Sequence, residues 1–183
     1  MRVIAGTLGG RRLVAPGRGG LRATQDRVRE TLFNIIAEDV AGSRVADLFA
    51  GTGSLGIEAL SRGAAQAVFV EKSRTALDIL ERNLRLLELR ERGRVYRGTV
   101  ASFLAGSHDE PYDLVLADPP YETPDADATI AAVAGGGVLR AGGLLVVERR
   151  RSEPIAGAPA GMTLLTGRAA GDTRLDFYRR GDS

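Results

Sequence analysis

Asp47-Leu48-Phe49-Ala50-Gly51-Thr52-Gly53-Ser54-Leu55-Gly56 is the stretch on which the fold turns. Val45 to Ala50 is a short apolar run, and Ser54 to Arg62 carries helical spacing, so the glycines join a strand to a helix. Glycine at such a turn lets the backbone bend sharply and approach a ligand closely. The helix N-terminus adds oriented N–H donors. Ala67 to Val70 reads as the next strand, and Glu71 stands at its end, twenty residues beyond Gly51. A carboxylate there can accept hydrogen bonds from both hydroxyls of a ribose. Strand, glycines, helix, strand and acid together describe a nucleoside site.

Working outward, the alternation continues. Ser73 caps a helix carrying Ala76, Leu77, Leu80, Leu84 and Leu87, with charges on its other face. Arg94 to Arg97, Asp113 to Ala117 and Leu144 to Glu148 read as strands, with a weaker helix signal over Ala126 to Val133. Met162 to Thr166 and Arg174 to Tyr178 form a closing strand pair after the irregular stretch Pro154 to Gly161. Strands alternating with helices predict a doubly wound, mostly parallel α/β sheet with an antiparallel hairpin at one edge. Before the glycine stretch, Val3-Ile4-Ala5 and Arg12-Leu13-Val14 flank a Gly-rich turn as a hairpin, followed by a Pro16 to Gly20 loop. Thr24 then caps a helix whose apolar face is Val28, Leu32, Ile35 and Ile36, ended by Gly42.

Composition bounds the function. The 183 residues are one domain's worth, with no internal repeat and no linker, so residues 1–183 are expected to form a single domain with a basic extension over 1–23. Without Cys there is no disulfide framework, thiolate site or cysteine nucleophile, and a single His excludes multi-histidine metal clusters; no metal is expected. No apolar run approaches the roughly 18 residues of a membrane span, and no leader pattern opens the chain, so a cytoplasmic location is expected. Net charge is only +2, but residues 1–30 hold seven Arg against Asp26 and Glu30, a local +5. A basic surface concentrates polyanions. The Arg bias itself (24 Arg, one Lys) is equally what a G- and C-rich genome would produce.

Which nucleoside binds is decided by a second motif. Gly51, Gly53 and Gly56 spell GxGxxG, which also suits a nicotinamide dinucleotide, but Asp47 would repel a pyrophosphate. Asp47 suits an ammonium, accepted directly or through water, and S-adenosylmethionine carries an ammonium and an adenosine. Asp118-Pro119-Pro120-Tyr121 follows the strand Asp113 to Ala117, at the same carboxyl edge as the glycine loop. An aromatic amine is methylated only when its lone pair is turned out of the ring and its N–H bonds meet acceptors. The Asp118 carboxylate and the Pro119 carbonyl are two such acceptors, and Tyr121 offers a stacking face.

Asp47 to Gly56 with Asp118-Pro119-Pro120-Tyr121 resembles the class I S-adenosylmethionine methyltransferases that act on exocyclic or amide nitrogens. The amino end is more specific still. Arg2-Val3-Ile4-Ala5-Gly6, Gly10-Arg11-Arg12-Leu13 and Arg22-Ala23-Thr24-Gln25-Asp26-Arg27-Val28-Arg29-Glu30-Thr31-Leu32-Phe33-Asn34 resemble the RsmD family, as do Glu58 to Ala64 and Gly171-Asp172-Thr173. That resemblance implies methylation of a guanine N2 amine in small-subunit ribosomal RNA. It implies Asp118, Pro119, Pro120 and Tyr121 at the acceptor amine, and Asp47, Phe49, Ala50, Gly51, Thr52, Gly53, Glu71, Lys72, Thr99, Val100 and Asp118 around the cofactor. Arg11, Arg12, Arg22, Thr24, Arg27 and Arg29 are the expected RNA surface; a basic hairpin this small is too little to read a sequence alone, so a folded 30S particle is the expected substrate, with monomer the default state. Ala23 stands where the family usually has proline, and Thr99-Val100 replaces its usual polar-plus-alanine pair.

Rival readings are an adenine-N6 or protein-glutamine methyltransferase, a non-catalytic RNA-binding module and, last, a dehydrogenase. His108 is expected in an exposed loop, Glu58 on a helix surface, Phe33 and Phe49 in the core. Arg149-Arg150-Arg151 reads equally as a solvated charge run or a phosphate contact.

Overall fold

A computed structural model describes residues 1–15, 22–108, 110–121, 123–154 and 157–182, with the side chains of residues 22–24 left aside. The expected loop Pro16 to Gly20 therefore lies outside the described residues, as do the side chains of Arg22 and Thr24. Thirteen elements follow in order: α1 (Arg22–Ile35), α2 (Ala37–Val40), β1 (Arg44–Leu48), α3 (Ser54–Ser61), β2 (Gln66–Glu71), α4 (Arg74–Leu86), β3 (Gly93–Arg97), α5 (Val100–Leu104), β4 (Tyr112–Ala117), α6 (Asp125–Gly135), β5 (Leu139–Arg150), β6 (Met162–Ala170) and β7 (Thr173–Arg180). The strands form one sheet in the order β3-β2-β1-β4-β5-β7-β6. β1 to β5 are parallel, and β7 runs antiparallel between β5 and β6. The expected edge hairpin is thus present, with its second strand on the inside.

Alternation along the strands builds two cores. Val45, Phe69, Leu114, Leu116 and Val146 face α1, α3 and α4, where they meet Leu32, Phe33, Leu60 and Leu80. Ala46, Val70, Val115 and Val147 face α5 and α6, where they meet Phe103, Ile130 and Val133. Each fully buried Leu or Phe contributes about 1.5–3 kcal/mol of transfer free energy, which sets the register of the sheet.

The amino end departs from expectation in instructive ways. The hairpin is a single antiparallel bridge, Arg2 to Arg12, flanked by Val3 N donating to Arg11 O at 3.0 Å. Helix α1 opens at Arg22, so Thr24 falls inside its first turn and is not the cap. Its buried arc is Val28, Leu32, Phe33 and the following Ile36, while Ile35 is exposed. Arg29 lies within that arc and is 3% exposed. A cation among the apolar positions hid the true face from the periodicity.

Glu58 explains how that cation is tolerated. It was expected on a surface, yet it is buried, because the amino-terminal segment lies over α3. Its carboxylate accepts from Ile4 N at 2.8 Å, Ala5 N at 3.0 Å and Arg62 Nε at 2.8 Å, and lies 3.7 Å from Arg29 Nε. Arg29 also donates to Arg2 O at 2.7 Å and Asp26 Oδ1 at 2.8 Å. Gly6, at φ +80°, is where the segment crosses α3: a Cβ there would stand 2.0 Å from Ser61 O. Further along, Asn83 of α4 accepts from Val14 N at 2.7 Å and donates to both Val14 O and Thr52 O at 3.0 Å.

The Arg149-Arg150-Arg151 run is not uniformly solvated. Arg149 is buried within β5, in ion pairs with Asp127, Glu153 and Asp176. His108 is half-buried, with Nε2 3.0 Å from Phe103 O and its ring 4.8 Å from that of Phe103. Phe33 is core, as expected.

Candidate active site

Strand order creates the site. β1 lies between β2 and β4, so the chain leaves β1 toward one side of the sheet and β4 toward the other. Ligands in open α/β sheets bind beyond the carboxyl ends of the strands at such a switch point. The glycine loop leaves β1 there, and Asp118 is the first residue after β4, its N–H 3.4 Å from Leu48 O. Glu71 closes the neighbouring strand β2.

The three glycines have different tasks. Gly51, at φ +54°, meets nothing closer than 4.0 Å where a Cβ would stand, so its openness is available to a ligand. A Cβ on Gly53 would press to 2.5 Å from Leu80 Cδ1, and one on Gly56 to 2.4 Å from Phe69 Cε1. Those two glycines let the loop and the start of α3 pack closely on Leu80 of α4 and Phe69 of β2. Phe49 adopts φ +61°, a conformation unfavourable for an aromatic side chain, so the surrounding loop must hold it there.

Glu71 organises the loop. Its Oε2 accepts from Gly51 N at 2.8 Å, and its Oε1 accepts from Lys72 N at 2.8 Å and Ser73 N at 2.7 Å. An ionised carboxylate has about four lone-pair sites, so acceptor capacity remains for a ribose hydroxyl. Asp47 is 1% exposed and accepts from Gly56 N at 2.8 Å. Its carboxylate therefore ties the loop from beneath, and of the two expected routes to an ammonium, direct or through water, this burial favours the one through water. Burial drives the Asp47 carboxyl up to about 7; the Gly56 N–H opposes this and Glu71 adds to it.

A cavity of about 340 Å³ opens beside the loop, within the roughly 300–1,000 Å³ of small-molecule sites. Of the expected cofactor residues, Phe49, Glu71, Lys72, Thr99 and Val100 line it. Phe49 is thus half-buried at the cavity wall and not purely core. Asp47, Ala50, Gly51, Thr52 and Gly53 are not among its lining residues. Thr99 caps α5, a helix absent from the sequence reading, its Oγ1 accepting from Ser102 N at 3.0 Å. Val100, Leu104 and Ala128 supply apolar walls. A carboxylate for ribose and apolar walls for a base fit an adenosine.

On the acceptor side, Pro119 is buried and Pro120 lines the cavity. Asp118 is exposed, yet neighbouring atoms desolvate its carboxyl. That desolvation, then Glu148 and Asp47, holds its carboxyl well above the usual range. Tyr121 donates from its hydroxyl to Glu148 Oε1 at 2.7 Å and lies 3.1 Å from Thr173 Oγ1. The Arg150 guanidinium stands 5.6 Å from the Tyr121 ring centroid, so one ring face already has a neighbour. Burial raises the Glu148 carboxyl, against the hydrogen bonds from Tyr121 and Thr173. The sequence reading missed Glu148 as a site residue. Its signal was its position at the end of the Leu144 to Glu148 apolar run, level with Asp118.

Of the expected RNA residues, Arg11, Arg12 and Arg27 are exposed. Arg11 donates from Nη2 to Leu86 O at 3.0 Å. Arg29 is corrected: a guanidinium 3% exposed, packed on Glu58, Asp26 and Arg2 O, holds the amino-terminal segment and cannot face a phosphate.

A strand reversed between β5 and β6, with a cavity beside the glycine loop and the Asp118-Pro119-Pro120-Tyr121 loop at the switch point, places the chain among the S-adenosylmethionine-dependent methyltransferases. Comparison with known proteins narrows this. A family model described as Conserved hypothetical protein 95 matches residues 1–179. Ribosomal RNA small subunit methyltransferase D of Escherichia coli (strain K12) is 37% identical over 180 residues, covering 98% of this chain and 90% of that protein. The protein of the same name from Haemophilus influenzae is 35% identical over 181 residues, covering 98% and 93%. The structure of yhhF from Escherichia coli superposes with a TM-score of 0.89 at 34% identity, over 100% of this chain and 99% of that one. The chain belongs to the Conserved hypothetical protein 95 family, which is the RsmD family of the sequence resemblance.

Proposed function

We propose that this protein methylates the N2 amine of a guanine in small-subunit ribosomal RNA, as a monomer acting in the cytoplasm on a folded 30S particle. The observation that carries the reading is the Asp118-Pro119-Pro120-Tyr121 loop at the switch point, beside the cavity that Glu71 borders. The name of the relatives, small subunit methyltransferase D, supports the RNA class. Among the described residues no helix is long and apolar enough to cross a membrane.

Glu71, Phe49, Lys72, Thr99 and Val100 would hold S-adenosylmethionine, which when bound supplies an electrophilic methyl on sulfur. The chain's own part is to present the amine. Pro119 and Pro120 stiffen the loop, so the Asp118 carboxylate and Pro119 carbonyl stand fixed as acceptors for the two N2–H bonds. That orientation would turn the nitrogen lone pair out of the ring. The cofactor would supply the methyl for a displacement in which the N–C bond forms, the C–S bond breaks and its electron pair stays on sulfur. The amine proton, acidic only then, passes to Asp118 or to water. A carboxyl held above its usual range accepts that proton more readily than an ordinary aspartate. The exposed Arg11, Arg12 and Arg27 lie on the amino-terminal segment and α1, where they would meet phosphates.

The test is transfer from labelled S-adenosylmethionine to small subunits from cells lacking this protein, with free RNA and DNA in parallel and nucleoside analysis of the product. Labelled N2-methylguanosine from subunits is the expected result. Label in adenine or in protein would replace the proposed acceptor.

A further inference from the structure

Glu148 has no part in the mechanism above, yet its placement is specific. Ala117 of β4 pairs with Val147 of β5, so Asp118 and Glu148 each stand one residue past that pair on neighbouring parallel strands. Two carboxylates therefore leave the sheet at the same level. Glu148 is also locked: its Oε1 accepts from Tyr121 Oη at 2.7 Å and from Thr173 Oγ1 at 3.5 Å. Its Oε2 accepts no hydrogen bond among the described residues. Two carboxylates side by side repel one another, an arrangement that becomes favourable when donors arrive between them.

The bases differ on the edge that would enter. Guanine presents two adjacent donors, N1–H and the N2 amine. Adenine presents a donor beside the N1 lone pair, which a carboxylate oxygen repels. An amine acceptor with a second, fixed acceptor alongside is complementary to guanine alone.

We propose that Glu148 determines base specificity: its Oε2 accepts the guanine N1–H while Asp118 and the Pro119 carbonyl hold the N2 amine. This rests on the guanine-N2 reading and deepens it. Tyr121 and Thr173 then serve to aim the Glu148 carboxylate, because their donors fix one oxygen and leave the other presented. Lysine or arginine could not substitute, having no acceptor.

The test uses small subunits reconstituted with guanine or with 2-aminopurine at the position the wild-type enzyme labels. 2-Aminopurine keeps the N2 amine but carries a lone pair at N1. A site that bonds a substrate N–H rejects an analogue lacking it strongly, so wild type is expected to favour guanine on the order of 100-fold in kcat/KM. In Glu148→Gln the amide can turn its NH2 toward N1, so the preference should fall below about tenfold, with guanine turnover itself reduced. S-Adenosylmethionine affinity, measured by calorimetry on each variant, should be unchanged. The missing guanine O6 affects both enzymes equally and cancels from the comparison.

Equal preference in wild type and Glu148→Gln would overturn the proposal, leaving Glu148 as a support for Tyr121. So would a wild type that accepts 2-aminopurine as readily as guanine. Absence of label from guanine in wild-type reactions is a different failure. It would overturn the guanine-N2 reading itself.

Discussion

The Glu58 carboxylate lies 3.7 Å from the Arg29 guanidinium, and the two residues are 1% and 3% exposed. The pair fastens the amino-terminal segment onto the methyltransferase sheet, since Glu58 also takes the amides of Ile4 and Ala5. Removing Glu58 leaves the Ile4 and Ala5 amides without their acceptor and buried Arg29 with Asp26 as its remaining carboxylate. Glu58→Ala should therefore cost about 3–5 kcal/mol in urea unfolding. A loss below about 1 kcal/mol would mean the segment detaches without consequence for the core.

Burial also separates the arginines by role. Replacing exposed Arg11 and Arg12 with alanine should weaken RNA binding and lower the slope of log affinity against log salt by about 1–2. Arg29→Met should destabilise the fold while leaving that slope unchanged in whatever fraction remains folded. A lowered slope for Arg29→Met would put the guanidinium back at the interface.

Asp118→Ala should reduce kcat by about 10²–10⁴-fold, the usual worth of a positioned acid–base group. S-Adenosylmethionine affinity measured by calorimetry should hold, because Asp118 is not among the residues lining the cofactor cavity. A parallel loss of affinity would make it chiefly a cofactor ligand.

The acid limb of the pH–rate profile carries a further expectation. Asp118 must be ionised to take the amine proton, and desolvation, Glu148 and Asp47 all raise its carboxyl. Activity should fall with decreasing pH at a point above the ordinary aspartate value of about 3.9. Glu148→Gln removes one neighbouring negative charge, so the limb should shift to lower pH. An unmoved limb would assign it to another group.

Asp47 links pH to stability. Its carboxyl is raised to about 7 in the fold, so the folded state holds a proton that the unfolded chain releases near its own, lower value. That contribution to stability is fully present below the unfolded pKa and is lost as pH rises through about 7. Asp47→Asn should shrink the difference in urea midpoint between about pH 5 and about pH 8. An unchanged difference would mean Asp47 is ionised throughout.

Sequence alone determined what depends on local pattern: the strand–glycine–helix turn at 47–56, Ser73 as a cap, the strands around Val45, Ala67 and Leu114, and the loop at 118–121 that follows the last of them. These are legible because backbone periodicity, capping and turn chemistry act over a few neighbouring residues. It also placed Glu71 beside the glycine loop, since a parallel crossover returns the chain to the same sheet edge. What it could not decide were the positions where distant segments meet. Glu58 looked like a surface residue because nothing near it announces that residues 4 and 5, more than fifty positions away, will cover it. Arg29 looked like a phosphate contact for the same reason, since a charge reads as exposed until its buried partner is known. Glu148 acquired a role only when β5 was set against β4 with Ala117 level with Val147, bringing a second carboxylate beside Asp118. Burial and charge pairing are properties of tertiary packing, and packing joins residues that sequence leaves far apart.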